Sequence, residues 1–297
     1  MLLERRIPVL YVMRGIRYDL LIVFIISAFV YMLSEVMDIP EMPIGIPSFL
    51  GTAITLILSF KLAQSYERWW EARKIWGAIV NDSRTLVNQS LQFTNSYDSE
   101  VQEVHTIAHR QMAWCFSLGQ ALRKLDPRGH LHAYINEEEI KWLGTQQNVP
   151  LGLLNRHTRD IASLHNKGLI NDYQQIQLDS TIQRLCDSMG KSERIKNTVF
   201  PKTYRLFLHF FIYIFLATLS ISVAEVEGPY QILLLLFVSS PFLLLERTAK
   251  LLQDPFENKP TDTSVTAIAR TIEQNLTELL NKRYDKPIED NEDFYVM

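Results

Sequence analysis

Four stretches of the chain contain no Asp, Glu, Lys or Arg and are dominated by Leu, Ile, Val and Phe. They cover residues 20–34, 42–60, 206–224 and 228–245. A membrane-spanning helix needs about 20 mostly apolar residues, with a tolerated range of about 17–25. The first stretch is short, but Tyr18 and the aliphatic stem of Arg17 extend it by snorkelling. The third is free of formal charge apart from a proton that His209 can take up. Four transmembrane helices are the natural expectation. The competing architecture is a soluble α protein with four very apolar core helices.

Charge placement separates the two. Arg5, Arg6, Arg14 and Arg17 precede the first stretch. The loop after it carries Glu35, Asp38 and Glu41 and no Lys or Arg. Lys61, Arg68, Arg73 and Lys74 follow the second stretch, and Arg194, Lys196, Lys202 and Arg205 precede the third. The loop to the fourth holds Glu225 and Glu227, and Arg247 and Lys250 come after it. Basic flanks alternate with acidic loops as the positive-inside rule requires, so both termini and the middle of the chain are expected in the cytoplasm. The first stretch has a basic start but runs into Glu35-Val36-Met37-Asp38 with no small-residue cleavage site, so it reads as an anchor rather than a signal peptide.

The rest of the chain is polar and helical in pattern. The mean hydropathy of -0.02 is then an average over two populations, since 47% of the 297 residues are hydrophobic. The expected organisation is a cytosolic N-terminus with the first two membrane helices over 1–60. A cytosolic helical domain follows over 61–200, then two membrane helices over 201–252. A C-terminal helix and acidic tail fill 253–297. Helices are predicted over 63–93, 101–125, 151–166 with Gly168 as C-cap, and 172–189 closed by Gly190. Asp126-Pro127-Arg128-Gly129 marks a turn. Val265, Ile268, Ile272, Leu276 and Leu279 form one apolar face of a last helix, with Thr261 or Asp262 as its cap. The fold class is all-α.

Several functions find no residues to carry them. A net charge of -3 and a pI near 6.2 leave no nucleic-acid footprint. Cys115 and Cys186 make no disulfide framework and no metal-binding pair. His105 and His109 share a helix face, but position 106 is Thr where a zinc protease has Glu. His130 and His132 lie in a predicted loop with no carboxylate or thiol cluster beside them. Nucleophile-elbow, Walker and dinucleotide-binding patterns are absent from the sequence. No catalytic residue, metal site or cofactor is expected, and an enzyme is not.

The second stretch says more. Its helix is predicted to start near Pro47 or Ser48. Thr52, Leu56 and Phe60 follow at i, i+4 and i+8, on one face. Gly51, Ala53, Ser59 and Ala63 are small enough to allow close helix approach. On spacing alone, the Thr52–Leu56–Phe60 face either packs in a bundle or lines a narrow hydrophobic pore. No charge falls inside a stretch, so no proton relay or coupling site of a transporter is expected.

Several runs together are similar to one known family. They are Ser48-Phe49-Leu50-Gly51, Phe60, and Ser65-Tyr66-Glu67-Arg68-Trp69-Trp70-Glu71-Ala72-Arg73 with Trp76-Gly77. Arg123-Lys124 with Asp126-Pro127, Gly190 with Glu193-Arg194, Asp254-Pro255-Phe256 and Thr271-Ile272-Glu273-Gln274-Asn275-Leu276 follow in order. This set resembles the bacterial bestrophin homologues over nearly the whole chain. The resemblance implies a homopentameric ion channel of the bacterial inner membrane, bathed by membrane lipids. Its second helix would line a neck at Thr52, Leu56 and Phe60. A second, cytosolic constriction maps onto Tyr173 by an ungapped count. Arg68, Trp69, Glu71, Arg73, Trp76, Asp254, Pro255 and Phe256 would be structural motif positions.

Two departures from the family pattern stand out. The first neck position is usually a bulkier apolar residue, whereas Thr52 brings a hydroxyl that eases hydration. The calcium-activated members carry an acidic run after the Asp-Pro-Phe motif, whereas Glu257-Asn258-Lys259-Pro260-Thr261-Asp262 has a Lys in its middle and too few carboxylates for a calcium clasp. The expected activity is passive conduction of monovalent ions. Cations such as sodium are favoured by an acidic outer mouth of Glu35, Asp38 and Glu41. Anions such as chloride are the alternative, favoured by the ring edges of Phe60 and Tyr173. A membrane receptor or scaffold with a partner-binding cytosolic body is a further alternative.

Overall fold

The computed structural model describes residues 9–37, 42–94, 101–198, 202–224 and 229–284. The described part is built from nine α-helices: α1 (Val9–Val36), α2 (Gly45–Phe93), α3 (Gln102–Leu122), α4 (Glu137–Leu143), α5 (Val149–Asn166), α6 (Asp172–Asn197), α7 (Lys202–Ser222), α8 (Tyr230–Gln253) and α9 (Val265–Leu279). A single 3-10 turn, Leu131–Ala133, sits between α3 and α4. No strand occurs among the described residues.

Packing divides the chain into two units, and the division falls inside α2, between Trp69 and Trp70. The first unit takes its helices from Glu4–Trp69 and Thr198–Asp254, and thus contains α1, the first part of α2, α7 and α8. Its core is Ile16, Val23, Ile54, Leu58, Ile212, Phe215, Leu216, Leu235 and Leu243, with Leu208. The helix α1 packs chiefly against α8 and also against α7. By length and composition, Tyr11–Val36, α2 and α8 are each able to cross a bilayer. The described apolar part of α7, Leu206–Ser222, is shorter.

One close approach fixes α2 in this unit. A Cβ added to Gly51 would lie 3.0 Å from the Phe215 ring of α7. Real Cβ atoms rarely come so near, so the ring occupies the space that a side chain would need. Gly51 thus plays the small-residue role expected of it. Of the other small residues named from sequence, Ser59 and Ala63 are exposed and Ala53 is half-buried. The helix begins two residues before Pro47, which is tolerated in a first turn because its missing N–H has no helical acceptor there. Buried positions along α2 alternate in threes and fours: Gly51, Ile54, Leu58, Lys61 and Ser65, resuming at Ala72, Ile75 and Ile79.

The second unit takes Trp70–Asn197 and the described residues from Pro255 onward. It holds the rest of α2, α3 to α6, and α9 around a core that includes Trp76, Ile107, Trp114, Leu153, Ile161, Leu185 and Ile272. Arg110 of α3 is buried there and donates to both Glu139 oxygens, at 2.7 and 3.0 Å. It also pairs with Asp160 of α5. A buried guanidinium needs such pairing, because an uncompensated charge in the interior is strongly destabilising. Neighbouring His157 is fully buried, and both its ring nitrogens lack hydrogen-bond partners. Burial holds it well below the usual histidine value, and the Arg110 charge lowers it further.

Helix ends follow the sequence in some places and not in others. Gly168 has φ +69°, and Leu169 N–H reaches back to the Leu164 carbonyl at 3.0 Å, a Schellman end for α5. Gly190 does not close α6; the helix runs seven residues past it to Asn197. Its surroundings are open and its φ is ordinary, so it is a tolerated helical glycine. The residue before α9 is Ser264, not Thr261 or Asp262, and its side chain makes no capping bond. The helix α4 was not anticipated. It is short and takes its cap from Asn136, whose side chain accepts from Glu139 N–H at 2.8 Å.

Candidate functional site

The helix α2 presents two unlike faces within the first unit. One face, at Gly51, Ile54, Leu58, Lys61 and Ser65, is buried. The other carries Ser48, Thr52, Leu56 and Phe60, all exposed. Leu56 is 59% and Phe60 62% exposed. The three residues picked out by i, i+4, i+8 spacing therefore share one uncovered face. Beside them Thr55 and Ser59 are also exposed, and lead into an open groove of about 590 Å³ floored by Phe215, Leu219, Val238 and Phe242.

The hydroxyls on this side of α2 are not free to donate. Ser48 Oγ donates to the Ile44 carbonyl at 2.7 Å, and Thr52 Oγ1 to that of Ser48 at 2.9 Å. Thr55 and Ser59 do the same to Gly51 and Thr55, both at 2.8 Å. Such back-bonding to the carbonyl four residues earlier satisfies the hydroxyl hydrogen of a helical Ser or Thr within its own helix.

The exposed faces of the other apolar helices differ in kind. On α1 they are Leu21, Ile22, Phe24, Ile25, Phe29 and Met32. On α7 they are Leu206, Phe207, Phe210 and Phe211, and on α8 Leu233, Leu234 and Phe237. Large apolar side chains of this sort suit lipid. The exposed face of α2 is mixed, with Phe49, Leu56 and Phe60 set among Ser48, Thr52, Thr55 and Ser59.

Sequence reasoning missed a polar cluster in the same unit. Lys61 Nζ lies 2.9 Å from Glu246 Oε1, and both side chains are buried. His209 Nδ1 is 3.9 Å from the same oxygen, while its Nε2 is 3.2 Å from Asp19 Oδ1. Tyr213 donates to that Asp19 oxygen at 2.9 Å. All four apolar helices contribute. The uncharged stretches stop at Asp19, Lys61 and Glu246, but the helices continue through these residues. The available signal was that these three abut their stretches at the ends carrying the basic flanks, where His209 also lies.

The remaining expected site residues fall as follows. Tyr173 belongs to the second unit, in the first turn of α6, and is 85% exposed. Asn171 and Gln174 exchange side-chain to backbone bonds of 2.9 and 2.8 Å, a capping box that fixes this turn. Ile176, one turn on, is exposed as well. Glu35 is exposed near the end of α1. Asp38 and Glu41 lie outside the described residues.

The motif positions make mostly internal contacts. Arg68 donates to the backbone carbonyls of Gln253 and Thr198, each at 3.0 Å. Trp69 stacks near Tyr66, with ring centroids 6.0 Å apart. Glu71 pairs with Arg194 at 2.8 Å. Arg73 is half-buried, and Trp76 and Phe256 are fully buried. Asp254 ends α8, and Pro255 is buried next to it. The Phe256 carbonyl accepts from Lys196 at 3.0 Å. His130 packs on Phe116 and His132 meets Glu137, so these two histidines do not converge on one ligand. Burial lowers the pKa of His109, and the charges of Lys282 and His105 add to it. No group of three metal-ligating side chains occurs among the described residues.

The family model described as Bacterial/Fungal Bestrophin protein matches residues 8–278. The chain belongs to the bestrophin family. Among curated relatives, a voltage-dependent anion channel-forming protein of Ralstonia nicotianae is 26% identical, over 79% of this chain and 76% of its own. One of the same description from Escherichia coli is 28% identical, over 78% and 75%. The crystal structure of a bestrophin homologue from Klebsiella pneumoniae superposes with a TM-score of 0.83 at 27% identity, covering 91% of this chain and 100% of that one. Family membership and the apolar helices together make this bestrophin a membrane protein.

Proposed function

We propose that the chain is one subunit of a homopentameric ion channel in a bacterial inner membrane, conducting monovalent ions passively. Thr52, Leu56 and Phe60 form its neck. Tyr173 forms a second constriction on the cytosolic side, and Glu35, with Asp38 and Glu41, forms the outer mouth. The four apolar helices cross the bilayer with both termini in the cytoplasm, and the second unit is the cytosolic body. The motif residues Arg68, Trp69, Glu71, Arg73, Trp76, Asp254, Pro255 and Phe256 hold the fold rather than touch the ion.

One observation carries this reading. The exposed face of α2 mixes hydroxyl-bearing Ser48, Thr52, Thr55 and Ser59 with Phe49, Leu56 and Phe60, whereas the exposed residues named on α1, α7 and α8 are all large and apolar. A helix with such a face is suited to further copies of the chain and to a partly wetted path between them. A hydrophobic constriction conducts when it wets and blocks when it dries. The channel lowers the barrier and performs no chemistry.

The charge of the ion has two supports of opposite sign. The curated relatives are described as anion channel-forming proteins. The exposed Glu35 at the end of α1 favours cations, within a Debye length of about 8 Å. The purified protein in liposomes under a sodium chloride gradient tests both. A current with a reversal potential following either ion supports a channel. A sealed membrane at every voltage, with the oligomer intact, is the contrary result.

A further inference from the structure

We propose that Thr52 is a specificity-determining residue and that its hydroxyl oxygen selects cations over anions. This rests on the reading of the Thr52–Leu56–Phe60 face as the neck. Among those three residues, Thr52 alone has a side chain able to hydrogen-bond. Its Oγ1 sits 2.9 Å from the Ser48 carbonyl oxygen. A carbonyl only accepts, so the hydroxyl hydrogen points back along the helix. What Thr52 turns outward is the lone-pair side of its oxygen.

That orientation has a sign. A cation giving up water at the neck meets an oxygen that replaces part of its hydration shell. An anion would need an O–H donor, and obtaining one requires breaking the bond to Ser48. The same holds one turn outward at Ser48, and along the flank at Thr55 and Ser59, whose hydroxyls are all engaged in the same way. The exposed side of α2 thus offers hydroxyl acceptors and no free hydroxyl donor between residues 48 and 60.

Two features work in the other direction. The N-terminal end of α2 carries partial positive charge from its unpaired N–H groups, but that field fades within the first turn. Thr52 is seven residues beyond Gly45, where the helix begins. The ring edges of Phe60 are weakly positive but carry no polar hydrogen. The neck is uncharged, so an oriented oxygen repeated in every subunit is its strongest local dipole.

The test uses the full-length protein in liposomes, with wild type compared against Thr52→Val and Thr52→Ser. Val keeps the branched shape and removes the oxygen; Ser keeps the oxygen and the back-bond. The expected result is a sodium-over-chloride permeability ratio above one in wild type and in Thr52→Ser. In Thr52→Val the ratio falls by about threefold or more, whatever the change in total flux. An unchanged ratio in Thr52→Val, or an anion-selective wild type, overturns the proposal while leaving the channel intact. Absence of current in all three, with normal oligomer profiles, overturns the channel reading and this proposal with it.

Discussion

Lys61 Nζ and Glu246 Oε1 are 2.9 Å apart, with side chains 1% and 6% exposed, beside a core of apolar side chains. The pair joins the second apolar helix to the last. Removing one partner strands the other charge where water does not reach, at a cost of about 3–5 kcal/mol. Replacing both with apolar residues of similar volume is expected to be far milder. Thermal unfolding of detergent-solubilised Lys61→Met, Glu246→Leu and the double variant checks this. The expected order is two strongly destabilised single variants and a double variant close to wild type. Additive losses in the double variant would falsify the idea of mutual neutralisation.

The neck reading makes Leu56 the middle of the constriction. Leu56→Ala removes three carbons per subunit from an exposed position, so its effect on folding is expected to be small, about 0.5 kcal/mol or less. Conductance is expected to rise by roughly two- to fivefold, because a wider apolar constriction wets more readily. Single-channel recording in planar bilayers reads this directly. Conductance unchanged in Leu56→Ala and in Phe60→Ala places the constriction elsewhere.

His157 supplies a pH dependence whose sign follows from its burial. Its folded-state pKa is well below that of an unfolded histidine, about 6.5. Between the two values the unfolded chain binds a proton that the folded chain does not. Stability is therefore full above about pH 6.5 and declines as pH falls, by up to about 1.4 kcal/mol per unit. His157→Leu removes this contribution without leaving a polar group unpaired. The melting-temperature loss between about pH 7.5 and 5.5 is expected to be smaller in the variant than in wild type. Equal losses would show that other groups set the acid sensitivity.

Calcium is expected to leave the current unchanged. In the segment after Phe256, Glu257 is paired with Lys259, and Asp262 accepts from the Lys259 backbone N–H at 3.1 Å. A calcium site needs six to eight oxygens, several of them carboxylates. Liposome flux with a calcium chelator and with millimolar calcium should coincide, and strong activation by calcium is the result that contradicts this.

Much of the architecture is legible in the chain because lipid-compatible helices must be apolar over a fixed length. The stretches at 20–34 and 42–60 mark α1 and α2 for that reason, and Gly168 marks the end of α5 because φ +69° suits glycine. Gly190 misleads because a glycine inside a helix is tolerated when its neighbours pay the helical cost. The cap of α9 misleads because Thr261 and Asp262 look like capping residues, yet the helix starts after Ser264. The Thr52–Leu56–Phe60 face is legible as a face; that none of the described residues covers it is visible only in three dimensions. The Asp19–His209–Glu246–Lys61 cluster was hidden because its members are as many as 227 positions apart, a separation no local pattern spans.

The glycine at position 51 also sets an angle. A helix packed through ordinary side chains can roll a little about its own axis, trading one contact for another. Where the Phe215 ring lies against bare backbone, a turn of α2 that brought a Cβ to this place would set it about 3.0 Å from the ring. Thr52 is the next residue along, about 100° further round the helix. The missing side chain at 51 therefore works as a keyway: it indexes the rotation of α2, and so decides where the oxygen of Thr52 is aimed.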